Sequence, residues 1–324
     1  MAVDAVTPNH GITALLWGLF KAMRPRQFTK NGLILVALFF TVNEWWEPDE
    51  LGDVARIIGI NLGAVGIFTL VTSSIYILND IADVEKDRKH PKKRFRPIAA
   101  GVIPVPLAIV VGLIFAAGGL ALAFLINTEF GLAAVSYIIL MVAYNLLLKH
   151  QIILDVMSIS GGFVIRAIAG SVAIDGTMIA GKALDLTISP WLYIVTALGA
   201  LFIAIAKRRT EMVHAGDAAG GQRAILNEYT VGFLDMMTAV VTPATLVAYS
   251  LYTFGGAFSG ANLPDNNSMM LTIPFVIYGI FRYLYLSHVR GLGGTPEEVL
   301  LKDSPLLLIV VGWVVASLSI LVVF

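Results

Sequence analysis

Cysteine is absent from the 324 residues. That excludes a disulfide framework, a thiol nucleophile and any Cys-ligated zinc or iron–sulfur centre. Charge is scarce as well, at 14% of the chain, against about 25% in an ordinary soluble domain. The charges balance at 22 basic and 22 acidic residues, so no bulk basic field points to nucleic acid. Residues 1–11 hold Asp4 and no Lys or Arg, so they are not expected to act as a cleaved secretory signal, which needs a basic start. Apolar residues, by contrast, make up 57% of the chain, with a mean hydropathy of +0.82. Such a composition excludes disorder and leaves a polytopic membrane protein.

A spanning helix needs about 20 mostly apolar residues. Nine stretches qualify, at 27–43, 54–78, 104–126, 130–148, 152–174, 189–206, 231–254, 269–287 and 304–324. The expected fold is therefore all-α, a single integral membrane domain over 1–324 with a nine-helix bundle in 27–324. Residues 1–26 form its N-terminal segment. Within it, Ile12, Leu15, Leu16 and Leu19 follow helical spacing and predict a short amphipathic helix lying in the interface. The connectors 1–30, 79–103, 149–151, 207–230 and 288–303 carry 18 Lys and Arg, whereas the alternate set carries one, Lys182. Positive charge collects in cytoplasmic loops. The N-terminus and the 79–103 loop are thus expected in the cytoplasm of a cell whose inner membrane holds the chain, with the C-terminus outside. The acidic stretch Glu44 to Asp53 shows no ligand-like order and reads as a solvated outer loop, and Trp45-Trp46 within it as an interfacial belt.

The few charged residues at span ends are the informative ones, because charge at a membrane is expensive and usually functional. Asn79, Asp83 and Asp87 are spaced by four, which places them on one helix face. Tyr76, three residues earlier, shares that face. Such a ladder of oxygen donors suits Mg²⁺, which typically binds through one or two carboxylates plus substrate phosphates. Mn²⁺ accepts the same donors. The bland alternative is a solvated helix end whose carboxylates pair with lysines. The basic run Arg88 to Arg96 follows at once, and Pro91 and Pro97 break the helix and bound a short loop. Carboxylates beside cations make sense around a phosphate-rich substrate, although a topogenic charge cluster or an anionic-lipid contact would look similar.

In the fifth span, Asp155 sits at the cytoplasmic end. Arg166 lies eleven residues on, about 16 Å along nearly the same helix face. A buried Arg needs a polar cavity or a partner. It reads either as a cavity wall touching ribose or phosphate, or as a structural Arg bonded to another helix.

These residues together resemble the UbiA superfamily of membrane prenyltransferases. The resemblance rests on Asn79-x-x-x-Asp83-x-x-x-Asp87, on Arg96-Pro97 after it, on Arg24-Pro25-Arg26-Gln27-Phe28-Thr29-Lys30-Asn31, and on Tyr144 with Lys149. The chain is similar above all to the decaprenyl-phosphate phosphoribosyltransferase subgroup. That similarity is carried by His90-Pro91-x-Lys93-Arg94, Leu148-Lys149-His150 with Asp155, Gly162-Phe163-x-x-Arg166, Lys207-Arg208-Arg209-x-Glu211 and Pro296-Glu297-Glu298.

The resemblance implies a helical bundle with a cytoplasmic cavity and Mg²⁺ on Asn79, Asp83 and Asp87. It implies transfer of 5-phosphoribose from phosphoribosyl pyrophosphate to a polyprenyl phosphate, as a precursor for arabinan in the cell wall. Lys30, Asn31, Tyr76, Lys93, Arg94, Tyr144, Lys149 and Arg166 are the implied substrate contacts, and Asp155 would orient a ribose hydroxyl beside the catalytic Asp83 and Asp87. Aromatic prenyltransferases of the superfamily carry a second acidic motif after the sixth span. Here Lys207, Arg208 and Arg209 stand in that place, which suits another phosphate better than another metal. An aromatic prenyltransferase and, from a different class, a transporter or lipid flippase are the competing readings. No nucleic acid partner is expected, and a homo-oligomer is compatible with the sequence.

Overall fold

The computed structural model describes residues 11–39, 51–179, 182–184, 189–215, 224–254, 263–264 and 266–323. The acidic residues 44–50 and the Trp45-Trp46 pair lie outside them.

Helix α1 (Ile12–Ala22) bears out the amphipathic reading. Its Gly18 and Ala22 are buried, and Ile12, Leu16, Trp17 and Phe20 are exposed. Among the described residues, eight helical stretches are long and apolar enough to cross a membrane. They comprise α3 (Leu51–Ala82), α5 (Val105–Ile126), α6 (Thr128–Leu146), α7 (Leu154–Ile174), α8 (Pro190–Ala215), α9 (Val231–Tyr252), α10 (Ile273–His288, extended at its start by a 3-10 turn from Ser268) and α12 (Ser304–Val323). Shorter helices are α2 (Val36–Phe39), α4 (Val84–Lys89) and α11 (Pro296–Lys302), and a two-stranded hairpin pairs Met178–Ile179 with Lys182–Ala183.

The expected first span behaves differently. Its described part is a 3-10 run over Pro25–Leu35 followed by α2. Pro25 and the polar Thr29-Lys30-Asn31-Gly32 weaken an α-helix here, and tertiary contact with α3 and α7 holds the segment instead. Two other helices outrun the expected boundaries. Helix α3 continues through Asn79 to Ala82, and α8 continues through Lys207 and Arg208 to Ala215. The cationic Lys207-Arg208-Arg209 run is thus helical rather than a loop.

Most spans bury little of themselves. Helix α5 is apolar all round, and only 17% of its most hydrophobic window is buried inside the protein. A helix of that kind faces lipid. Helix α7 is the exception at 56%, and it packs against α6, α8 and the 3-10 segment. One core cluster joins α3, α5, α6 and α7 around Phe68, Phe130 and Tyr137. Another joins α7 through Val156 to α8, α9, α10, α11 and α12. The contact between α7 and the 3-10 segment is backbone to backbone, since a Cβ at Gly170 would lie 2.0 Å from the Ile34 carbonyl oxygen. The central helix therefore carries polar side chains into the middle of the bundle.

Candidate active site

A cavity of about 1110 Å³ opens among the 3-10 segment, α3, α6, α7, α8, α10, α11 and α12. One end is charged. Its wall carries eight Lys and Arg side chains against three carboxylates, Asp83, Asp87 and Glu297. The other end is apolar, with Val195, Phe275, Ile280, Ile309, Val310 and Trp313.

The acidic ladder keeps its register although α3 breaks at Asp83. The Asp83 N–H donates to the Asn79 carbonyl (2.9 Å) and the Asp87 N–H to the Asp83 carbonyl (2.8 Å), so helical spacing runs across the break. Asn79, Asp83 and Asp87 all face the cavity. They differ in state. Asp87 is 1% exposed and accepts from Arg96 Nη1 at 2.7 Å. Arg96 also donates to the buried Asp80 at 3.0 Å, and Arg24 donates to the same Asp80 oxygen. Arg24 in turn lies over the Tyr76 ring. Asp83 has a 41% exposed side chain, with Lys149 Nζ at 3.9 Å its one ion-pair partner among the described residues. Among the described residues no three His, Asp or Glu are grouped to hold a metal ion. The donor set free to bind is the Asn79 amide oxygen and the Asp83 carboxylate. That pair fits a divalent cation that completes its shell with water and phosphate oxygens.

Of the other residues singled out from sequence, Lys30, Tyr76, Lys93, Tyr144, Lys149 and Lys207 line the cavity. Arg166 does so too, and its bonds are those of a structural arginine tied to other helices. Its Nε donates to Asn31 Oδ1 (2.9 Å), Nη1 to the Gly162 carbonyl (2.8 Å) and Nη2 to Tyr137 Oη (2.8 Å), which fixes one planar face of the guanidinium in the wall.

Four expectations are corrected in position. Asn31 is 1% exposed and serves Arg166 and Thr69 rather than the cavity. Arg94 is exposed and stacks on Phe95. Asp155 and Arg208, at 0% and 1% exposure, pair with each other at 2.7 Å. Tyr229 Oη donates to the same Asp155 (2.5 Å) and accepts from the Ile153 N–H (2.8 Å). Burial and the bond to Asp155 push the Tyr229 hydroxyl pKa well up. The pair is thus a buried strut joining α7 to α8, because a buried charge is tolerated only with a partner.

Sequence reasoning gave no role to Glu297, Tyr137 or Tyr283. Glu297 reaches into the cavity from α11 and accepts from Lys30 Nζ at 2.9 Å. Burial works to raise its carboxyl pKa, but the Lys30 ammonium, a backbone N–H and Lys207 together outweigh it, and the net shift is downward. The only signal available was the Pro296-Glu297-Glu298 string, whose distance from Lys30 in the chain hides the pairing.

Fold and site together define a polytopic membrane protein with a cationic, carboxylate-bearing cavity at one end of its helices. The chain belongs to the UbiA prenyltransferase family, whose model matches residues 33–291. It is 37% identical over 305 residues to the decaprenyl-phosphate phosphoribosyltransferase of Mycolicibacterium smegmatis, spanning 93% of this chain and 91% of that one. The enzyme of the same name from Mycobacterium tuberculosis is 34% identical over 316 residues, 97% of each chain. Among solved structures, a UbiA homologue from Archaeoglobus fulgidus bound to GPP and Mg²⁺ shares the fold. Its TM-score is 0.65 over 94% of this chain and 100% of that one, at 16% identity.

Proposed function

We propose that the protein transfers 5-phosphoribose from phosphoribosyl pyrophosphate to a polyprenyl phosphate, releasing pyrophosphate. The observation that carries this reading is the excess of cations in the cavity, eight against three carboxylates. A wall of that charge is costly to bury unless its ligands are polyanionic. Donor and acceptor together bring a pyrophosphate, a 5-phosphate and a lipid phosphate. The names of the mycobacterial relatives support the same reaction.

Asn79 and Asp83 would hold Mg²⁺, or Mn²⁺ in its place, which supplies charge neutralisation of the pyrophosphate. Lys149 and Lys93 flank that site and stabilise the negative charge that grows on the leaving group. The bond from ribose C1 to the pyrophosphate oxygen breaks, and the electron pair leaves with pyrophosphate. A lipid phosphate oxygen attacks the opposite face of C1 and forms the new C–O bond with inversion. That oxygen is already anionic at neutral pH, so no general base is required. The Arg166 guanidinium, locked by Asn31, Gly162 and Tyr137, orients the donor. The isoprenoid tail runs along the apolar end of the cavity.

The protein acts as one membrane domain in the cytoplasmic membrane, with the cavity mouth and N-terminus inside and the C-terminus outside. The test uses purified protein, a polyprenyl phosphate, Mg²⁺ and ribose-labelled phosphoribosyl pyrophosphate. Label passing to the organic phase and vanishing with EDTA is the expected result. No lipid label from a folded sample, alongside prenyl transfer to an aromatic acceptor, would replace this reading with the aromatic prenyltransferase.

A further inference from the structure

The cavity wall also holds three polar groups that the reaction above leaves unused. Tyr283 on α10 is 7% exposed and lines the cavity, yet its Oη has no hydrogen-bond partner among the described residues. Lys207 on α8 also lines the cavity and makes no ion pair within 4.0 Å among the described residues. Lys30 is paired, among the described residues with Glu297 alone. The Glu297 carboxylate lies within electrostatic reach of Lys207 and Tyr283 as well. A single carboxylate thus stands among two ammonium groups and an unpaired hydroxyl. Buried polar groups are normally satisfied, so this set is incomplete for a carboxylate. It suits an anion with more oxygens and more charge.

Its position says which anion. The Tyr283 ring packs on Phe202 at 5.6 Å between centroids. One turn back from Tyr283 on α10 and from Lys207 on α8, Ile280 and Ile203 begin the apolar wall that runs on to Ile309 and Trp313. The polar groups therefore sit at the head of a greasy channel, as a phosphate sits at the head of an isoprenoid chain. Around Asn79, Asp83, Lys93 and Lys149 the lining is polar instead.

We propose that Lys30, Lys207 and Tyr283 form the subsite for the phosphate monoester of the lipid acceptor, and that Glu297 occupies it until that phosphate displaces it. The lipid identity rests on the transferase reading, whereas the subsite does not. Phosphate brings three acceptor oxygens to two lysines and a phenol O–H, and Glu297 is left without its partner. It must turn aside, so in the resting protein it competes with the acceptor.

The test is calorimetric titration of the full chain, with Mg²⁺, by farnesyl phosphate, by inorganic phosphate and by phosphoribosyl pyrophosphate in separate runs. Tyr283→Phe should weaken farnesyl phosphate roughly tenfold, the worth of one hydrogen bond to a charged group. It should leave the pyrophosphate donor unchanged. Because Tyr283 Oη bonds nothing among the described residues, the variant should fold and melt no lower than wild type. Glu297→Gln should tighten farnesyl phosphate several-fold. Inorganic phosphate should bind far more weakly than farnesyl phosphate. Loss of donor binding in Tyr283→Phe would place the 5-phosphate here and overturn the proposal. So would equal binding of inorganic phosphate, or weaker lipid binding in Glu297→Gln. Farnesyl phosphate binding that follows these expectations without any transfer would keep the subsite and reject the reaction.

Discussion

Asp83 and Asp87 belong to one motif but stand in different chemical surroundings. Asp87 is buried against Arg96, while Asp83 is open to the cavity. Asp83→Asn removes the free charge beside Asn79. It should lower turnover about 10²- to 10³-fold, the scale of losing one preorganised electrostatic contact, with melting temperature unchanged. Near-normal turnover at saturating Mg²⁺ would reject Asp83 as a metal ligand. Asp155→Asn should do the reverse and act first on stability. Breaking its buried pair with Arg208 costs about 3–5 kcal/mol, to be read as a lowered thermal midpoint in detergent. An unchanged midpoint with lost turnover would return Asp155 to the catalytic group. Spacing made the ladder legible, because i, i+4, i+8 fixes a face whatever the tertiary structure. It did not make the partners legible. Arg96, Arg24 and Arg208 reach their carboxylates across folds of the chain, and sequence alone carries no distance between Lys30 and Glu297.

At the scale of elements, the cavity depends on how closely α7 meets the 3-10 segment that carries Lys30 and Asn31. Gly170→Ala puts a methyl 2.0 Å from the Ile34 carbonyl oxygen. Backbone must then move, at a cost of about 1–3 kcal/mol or more, and the loss should be accompanied by a raised KM for substrate. Gly118→Ala on the lipid-facing α5 meets nothing within 4 Å and serves as the control. It should be neutral or stabilising by up to about 1 kcal/mol. Equal effects of the two substitutions would refute close packing as the reason for Gly170. The basic loop has its own switch. The backbone N–H groups of Lys92 and Lys93 donate to His90 Nδ1, each at 3.2 Å, which requires that nitrogen unprotonated. Partial burial and nearby Lys93 lower the His90 pKa below its usual 6.5. Its contribution to order in the loop is therefore complete above the unfolded value and fades as pH falls through the lower folded one. Amide exchange of Lys92 and Lys93, corrected for intrinsic rates, should speed up across that window and not above it. The eight continuous spans were readable from apolar length alone. The 3-10 segment was not, because packing against α7 rather than local hydropathy decides its geometry.

Across the whole molecule, one asymmetry organises function. Cations crowd the ends of the helices where the acidic ladder lies, and the opposite connectors are almost bare of them. Under the positive-inside rule this asymmetry predicts a cytoplasmic cavity mouth, the side on which the proposed reaction would meet its water-soluble donor. Absence of cysteine turns this into a clean measurement. Lys92→Cys, in the basic loop, and Glu129→Cys, at the start of α6, each give the chain a single thiol, and both positions are exposed. A membrane-impermeant maleimide should label Lys92→Cys only in inside-out vesicles and Glu129→Cys only in right-side-out ones. The reverse pattern would put the cavity mouth outside the cell and away from its sugar donor, and the reaction would lose its substrate supply. Labelling of both positions from one face would break the alternation of spans between them. The single helix α5 would then fail to cross the membrane, despite a mean hydropathy of 2.7 over its best window.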